Sequence, residues 1–382
     1  MQRLSRIVAI VYIAICLLTL AGAAFVGPLG YAPFPLVRGP DRPPIVVTLW
    51  YGTEKKEWLE EARGRFAATS PTCGGRPIQV QLKGLGSREM AERVARQSWG
   101  SDAPPTALSP ASGFWLDMAG VQAAEAPRPL ALSPLVVVGW AERAQVLWPN
   151  GPRDMWRELH DAIAKPSWKD LGGSASWGPV KLGHTRPTTS NSGAQALLLM
   201  AYGFYGKTGG LSAADVANPE FQQWLKQIEG GVSSFGDSTG TFMDDMIRFG
   251  PAKYDFGVVY ENLALRGIAG AQGRLRVYYP PATLLSDHPF VTLQGAWVKP
   301  EERAAADQFR DFLLSRPIQE LALQYGFRPA DSSVSVQSSD PNNPFNKYAQ
   351  SGVQVAIAGQ VETPPPDVIG ALLDLWRAQV GR

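Results

Sequence analysis

From Ile45 onward, short apolar runs alternate with stretches that are apolar on one face only. IVVTLWY, beginning at Ile45, is rich in β-branched residues and has the length and unbroken apolar character of a buried strand. Thr53 follows as a helix N-cap with Glu54 in the first turn, and Trp58, Leu59, Ala62 and Phe66 then recur at helical spacing. PIQVQLKG from Pro77 predicts a second strand, Ser87 to Gln97 a second helix, and PTALSPASGFW from Pro105 a third short strand that runs into a loop. The order β, α, β, α, β predicts an α/β lobe built on a largely parallel sheet.

LALSPLVVVGW, Leu130 to Trp140, is an unusually apolar strand, and after it the rhythm changes. Helical stretches dominate: MWRELHDAIAK from Met155, the apolar SGAQALLLMAYGFYG from about Ser192, and segments at Glu220–Ile228 and Thr241–Phe249. A strand VKLGH from Val180 lies among them, and YDFGVVYEN, Tyr254 to Asn262, is a second apolar strand suited to a hinge. RLRVYYP, a strand from Phe290, and two helices at Glu301–Leu314 and Pro317–Tyr325 complete the body. The chain is therefore expected to leave a first lobe near Leu130 and to return near Tyr260, so that 41–132 and 259–331 form lobe one and 133–258 lobe two. An extension, 332–382, adds a polar loop, a strand at VQVAIAG from Val353 and a final amphipathic helix after three prolines. Leu372, Leu373, Leu375 and Trp376 of that helix need a surface to pack on, on a lobe or on another protein.

Ahead of the body, Arg3 and Arg6 precede an uncharged run from Ile7 to Val26. It has the form of a secretory signal with a small-residue cleavage site at Ala21-Gly22-Ala23, and also about the length of a bilayer-spanning helix, roughly 20 residues. Either way the basic flank stays inside and the body is exported to the periplasm or cell surface. Ile15 before Cys16 does not suit a lipidation site. GPLGYAPFPLVRGPDRPP then reads as an extended spacer, so residues 1–40 form a signal or anchor plus spacer, with N-terminal membrane association in the anchor reading.

With 36 basic and 34 acidic side chains and no basic stripe, nucleic acid is not an expected partner. Cys16 and Cys73 are the two cysteines, which leaves no disulfide within the body and no thiolate metal cluster. His160, His184 and His288 show no metal-ligand spacing, and no cofactor is expected. A G-x-S-x-G elbow is absent, so an exported hydrolase is the weakest of the functional readings.

Four pieces taken in order, VVTLWYGTEKKEWLEEARGRF, ALSPAS, LGHTRPTTSNSGAQALLLMAYGF and AWVKPEERAAADQFRDFLLSRPIQELALQYGFRPAD, resemble the type II periplasmic binding protein superfamily, the extracellular solute-binding proteins of ABC transporters. The resemblance spans about Ile45 to Asp331. It implies an α/β fold of two lobes joined by two β crossovers, closing by hinge motion on a ligand at the facing strand ends. It also implies a small polar solute and a membrane permease as partners, without covalent chemistry. A membrane-tethered sensor or scaffold on the same fold is the alternative.

TRPTTSNSG, Thr185 to Gly193, opens a strongly apolar helix with more hydroxyls than a cap needs, so Arg186, Thr189, Ser190, Asn191 and Ser192 are candidate ligand contacts. Tyr51, Gly52 and Thr53 follow the first strand and occupy the family's first cleft loop, where their other reading is capping and packing. Ser109 and Ser112 lie in the third-strand loop, as contacts or as a turn around Pro110. Tyr260 and Glu261 sit at the expected return crossover and supply a ring and a carboxylate, or hinge packing. GDSTGT, Gly236 to Thr241, reads first as a helix cap in a turn, its other reading being hydroxyls added to the site from lobe two. Arg186 and the hydroxyls favour an oxyanion slightly over the sugar that twelve tryptophans suit.

Overall fold

The computed structural model describes residues 11–18, 42–337 and 339–381. Met1–Pro44 and Ile45–Arg382 are two separate compact units. In the first, residues 11–18 are helical, and most of the Ile7–Val26 run and the spacer lie outside the described residues. Among the described residues no helix is long and apolar enough to cross a membrane.

The second unit holds two mixed sheets. In the first, β1 (Ile45–Gly52) lies between β3 (Arg76–Leu85) and β4 (Ala107–Ser109), all parallel. β2 (Thr72–Cys73) flanks β3, while β11 (Pro289–Thr292) and β5 (Arg128–Pro129) extend the β4 side to give the order β2-β3-β1-β4-β11-β5. The second sheet is organised on β6 (Ala131–Trp140), which pairs antiparallel with β8 (Phe256–Tyr260), β9 (Leu275–Tyr278), β10 (Leu285–Ser286) and β12 (Arg328–Pro329). β7 (Leu182–Gly183) runs parallel to β8.

Helix α1 (Lys56–Ala68) buries Trp58, Leu59, Ala62 and Phe66 against the first sheet, the face its apolar spacing foretold. α2 (Ser87–Ala95) follows β3, and α3 (Phe114–Ala119) follows β4. In the second lobe α4 (Asn191–Tyr205) is apolar around its whole circumference and is buried from Asn191 to Tyr202, as such a helix must be. α5 (Pro219–Glu229), α6 (Thr239–Phe249) and α7 (Glu261–Gly270) lie in the same lobe, and α8 (Pro300–Leu313) and α9 (Arg316–Gln324) return to the first.

The lobes are joined where β5 passes into β6, where β10 passes into β11, and again where α9 leads into β12 and the C-terminal extension. The return expected near Tyr260 is therefore displaced: β8 ends there still inside the second sheet, β9 and β10 follow in that sheet, and the first sheet is regained only at Pro289. Phe256–Tyr260 is buried along its whole length, and a continuously apolar run reads the same whether it is a sheet interior or a crossover. The junction is tied by the buried Arg328, which donates to both Glu261 carboxylate oxygens at 2.7 Å.

The final helix α10 (Pro366–Gln379) packs back onto the second lobe and buries Val368, Ile369, Leu372, Leu373 and Trp376. The strand expected from Val353 does not form. There the backbone is satisfied by side chains: Arg328 donates to the carbonyls of Gln354 and Val355, and Tyr279 accepts from Gln354 N–H.

Close packing makes two glycine substitutions opposite in sign. A Cβ on Gly139 of β6 would come within 2.6 Å of the Phe256 ring, whereas one on Gly64, on the exposed face of α1, would meet nothing within 4 Å. Gly139→Ala is expected to lower the urea-unfolding free energy by about 1–3 kcal/mol, and Gly64→Ala to raise it by about 0.5–1 kcal/mol; equal effects would contradict the packing described.

Candidate functional site

The carboxyl ends of β1 and β3 in one sheet and β7 and β8 in the other face a common recess, the usual place for a ligand in open α/β sheets. Five helix N-termini meet there. The helical run into α1 contributes Thr53 and Glu54, and α2 contributes Gly86 and Ser87. From the second lobe come Ser190 and Asn191 of α4, Ser238 and Thr239 of α6, and Tyr260, the N-cap of α7. The enclosed space is small, with room for about one water. The first amides of each helix have no intrahelical acceptor, so five positive dipole ends converge on this small volume.

The side chains around the recess form a bonded, buried network. Asn191 accepts from Trp115 Nε1 at 2.7 Å and donates to Tyr260 Oη at 2.8 Å and Ser286 Oγ at 3.4 Å. Gln195 donates to Ser112 Oγ at 3.0 Å and accepts from Ser286 Oγ at 3.1 Å. Asn262 donates to the Glu54 carbonyl at 3.1 Å. At the lobe contact, a Cβ on Gly86 would come within 2.6 Å of the Thr189 carbonyl, so only glycine admits this approach.

One ion pair is set into this network. Lys55, with no exposed surface, reaches Glu54 Oε1 at 2.5 Å, the Pro110 carbonyl at 3.3 Å and His288 Nδ1 at 3.2 Å. Burial opposes a charge on Glu54, but the Lys55 ammonium beside it brings its carboxyl down to about 2. Burial pulls the Lys55 ammonium below its ordinary value, yet three acceptors surround its three protons, so the pair is ionised. His288 lies in the β10–β11 crossover at φ 38°, an uncommon backbone for a residue with a Cβ. Burial, then Lys55, bring its imidazole down to about 4, so it is neutral and accepts through Nδ1.

Residues 47–328 match the profile of the family described as bacterial extracellular solute-binding protein. The chain belongs to that family. Two uncharacterized proteins of Mycobacterium tuberculosis, from strains CDC 1551 and H37Rv, are each 24% identical over 293 residues. The aligned region is 72% of this chain and 41% of theirs, so the chain spans about two fifths of those relatives. Among solved structures, a periplasmic thiamin binding protein superposes with a TM-score of 0.61 at 13% identity, covering 88% of this chain and 96% of that one. Iron-bound HitA from Pseudomonas aeruginosa gives 0.58 at 15%, covering 88% and 100%. The sulfate-binding protein SubI from Mycobacterium tuberculosis H37Rv gives 0.54 at 18%, covering 89% and 99%. At these identities the likeness is one of fold: two α/β lobes of the periplasmic-binding-protein type.

Within this solute-binding fold, Thr53, Ser190, Asn191 and Tyr260 border the recess. Gly52 stands beside them as the N-cap before Thr53, and any Cβ there would overlap the Glu54 carboxylate. Ser192 lies one layer behind, bonded to Thr185 and Thr239, and Ser112 is held by Gln195. Ser109 is fully buried, with a hydroxyl that has no partner among the described residues. Tyr51 is buried beside Gly84, where burial pushes its phenol up to about 12. None of these last five lines the recess, and three further candidates turn away from it. Arg186 sits over the Phe235 ring, Thr189 turns its hydroxyl to the Arg186 carbonyl, and Glu261 is committed to Arg328 and Tyr279.

Glu54 and Ser87 join the recess without having been singled out, and Ser238 and Thr239 come from the GDSTGT turn, whose first reading was a cap. Ser238 does cap α6, accepting from Thr241 N–H, and the same turn also faces the cleft. Its only sequence signal was a Gly- and hydroxyl-rich turn before a helix, shared with ordinary caps. Among the described residues no cluster of His, Cys, Asp and Glu is placed to hold a metal ion.

Lys55→Met removes the partner of a buried carboxylate and is expected to cost about 3–5 kcal/mol in urea unfolding; a loss below 1 kcal/mol, the range of exposed pairs, would show that the Glu54 charge is not held by Lys55. For His288 the folded-state value lies below the unfolded one, so between pH 6.5 and about 4 the unfolded chain binds the extra proton and stability falls as pH falls. His288→Asn, which tolerates the left-handed backbone, is expected to flatten that pH dependence by up to about 1.4 kcal/mol per pH unit. Identical slopes in the two proteins would refute this.

Proposed function

We propose that the protein captures a small polar solute in the recess between its lobes, outside the cytoplasm, and delivers it to an ABC-type membrane permease. The observation that carries this reading is the meeting of five helix N-termini from both lobes at one recess. In a low-dielectric site such termini bind an oxyanion or a partially negative oxygen. The Glu54–Lys55 pair cancels within itself, which leaves the helix ends as the uncompensated potential and favours an oxyanion over a neutral sugar. Proteins of similar structure include a sulfate-binding, a thiamin binding and an iron-bound one, so the preference rests on this chain's own recess.

Binding without catalysis is supported by how the reactive side chains are used. His288 is engaged by Lys55, His184 by Glu229, and His160 by Asp161 and Gln227, none of them by a serine of the recess. Hinge motion about the interlobe crossovers would open this small recess to admit solute and then close on it.

Thermal unfolding against a panel of sulfate, inorganic phosphate, sugar phosphates, thiamin, amino acids and neutral sugars tests the proposal. A true ligand at one hundred times its dissociation constant stabilises by about 2.7 kcal/mol, and oxyanions are expected to give the largest shifts. Thr239→Val should weaken binding about tenfold, the value of one hydrogen bond of roughly 1.4 kcal/mol. Flat melting curves throughout the panel would overturn the assignment.

A further inference from the structure

The C-terminal helix α10 lies beyond residue 328, where the family match ends, yet a continuous buried chain of hydrogen bonds leads from it to the recess. Trp376 donates through Nε1 to Glu229 Oε2 at 2.8 Å. The other oxygen, Glu229 Oε1, accepts from His184 Nε2 at 2.9 Å, and His184 Nδ1 donates to the Thr185 carbonyl at 2.8 Å. Both ring nitrogens thus face acceptors, which requires a proton on each and makes His184 the cation opposite Glu229. Thr185 Oγ1 and Ser192 Oγ are 2.7 Å apart, as are Ser192 Oγ and Thr239 Oγ1, and Thr239 borders the recess. All six residues are almost fully buried.

A second contact runs beside the first. Phe235 meets the Trp376 ring edge-on at 5.1 Å and the His184 ring at 5.2 Å. The segment these groups hold is the turn before α4, where Arg186 N–H donates to the Gly236 carbonyl and Ser190 N–H to the Arg186 carbonyl. Burying a charged pair and an indole N–H is costly unless each finds its partner, so a shift of α10 cannot leave the turn unaffected.

We infer that Trp376, Glu229 and His184 are positioning residues which make the C-terminal helix a structural part of the solute site, holding the N-termini of α4 and α6 in register with the recess. The inference rests on the reading of that recess as the binding site, but its test needs no solute. Amide hydrogen exchange is measured on the full chain, wild type against Trp376→Phe, which keeps the ring on Phe235 and removes the donor. Glu229→Gln is the second variant, keeping an acceptor for Trp376 and removing the charge facing His184. Ile369→Val on the same helix is the comparator, with a small packing loss outside the chain of bonds. Expected is about tenfold faster exchange at Arg186, Ser190, Ala194 and Gly236 in the first two variants, the scale of one lost hydrogen bond, with the amides of β8 unchanged and Ile369→Val not reproducing it. Unchanged exchange at those four amides, or a rise shared equally by β8, overturns the inference. A chain that binds nothing in the thermal panel but shows the local effect removes the functional reading and leaves the positioning role intact.

Discussion

Polar groups buried where the two lobes meet must find partners there, and this requirement governs the rest of the structure. An unpaired amide or hydroxyl in that setting costs about 1–3 kcal/mol and an unpaired charge more. Asn191, at the start of α4, therefore meets Trp115 from α3, Tyr260 from β8 and Ser286 from the crossover at once. Glu54 and Lys55, from the first lobe, are completed by His288 in that same crossover. The lobes are thus registered by directional bonds, which tolerate less sliding than an apolar contact of equal area.

This registration explains why so small a recess collects so many helix ends. Each parallel strand finishes at the lobe junction and its helix begins there, so the junction gathers N-termini as a consequence of topology. Glycine at 86 and at 193 allows backbone to approach backbone: a side chain at either position would overlap the carbonyl of Thr189 or of Thr185. Hydroxyls fill the remaining space and bond mainly to one another and to amides, leaving the field of the helix ends as the main feature presented to a solute.

The hinge region carries another buried ion pair with a different role. Glu261 follows β8 and Arg328 stands in β12, and their bidentate contact, with Tyr279 as a third member, ties the second lobe to the end of the family-like body, from which the C-terminal extension continues. Burial pushes Glu261 up, against the pull of Arg328, so its carboxylate depends on that partner. The extension then crosses β9 and ends on the second lobe, where Trp376 meets Glu229. An addition outside the family's common body thereby shares the interior of the lobe that supplies half the recess.

Much of this was present in the order of residues. Local patterns determined the β-branched strand at Ile45, the amphipathic face of α1, the wholly apolar α4 and its hydroxyl-rich start, because periodicity and capping are properties of neighbours along the chain. What only the tertiary structure decided is which of those neighbours meet. The return crossover lies at β10–β11 and not at Tyr260, Glu261 turns to Arg328, Arg186 to Phe235, and Glu54, Ser87 and Thr239 arrive at the recess from separate elements. A buried run reads alike in a sheet centre or a hinge, and a Ser or Thr before a helix reads alike as a cap or a contact. The distinction lies in long-range packing, where the partner that satisfies each buried polar group is supplied by a residue far away in the chain.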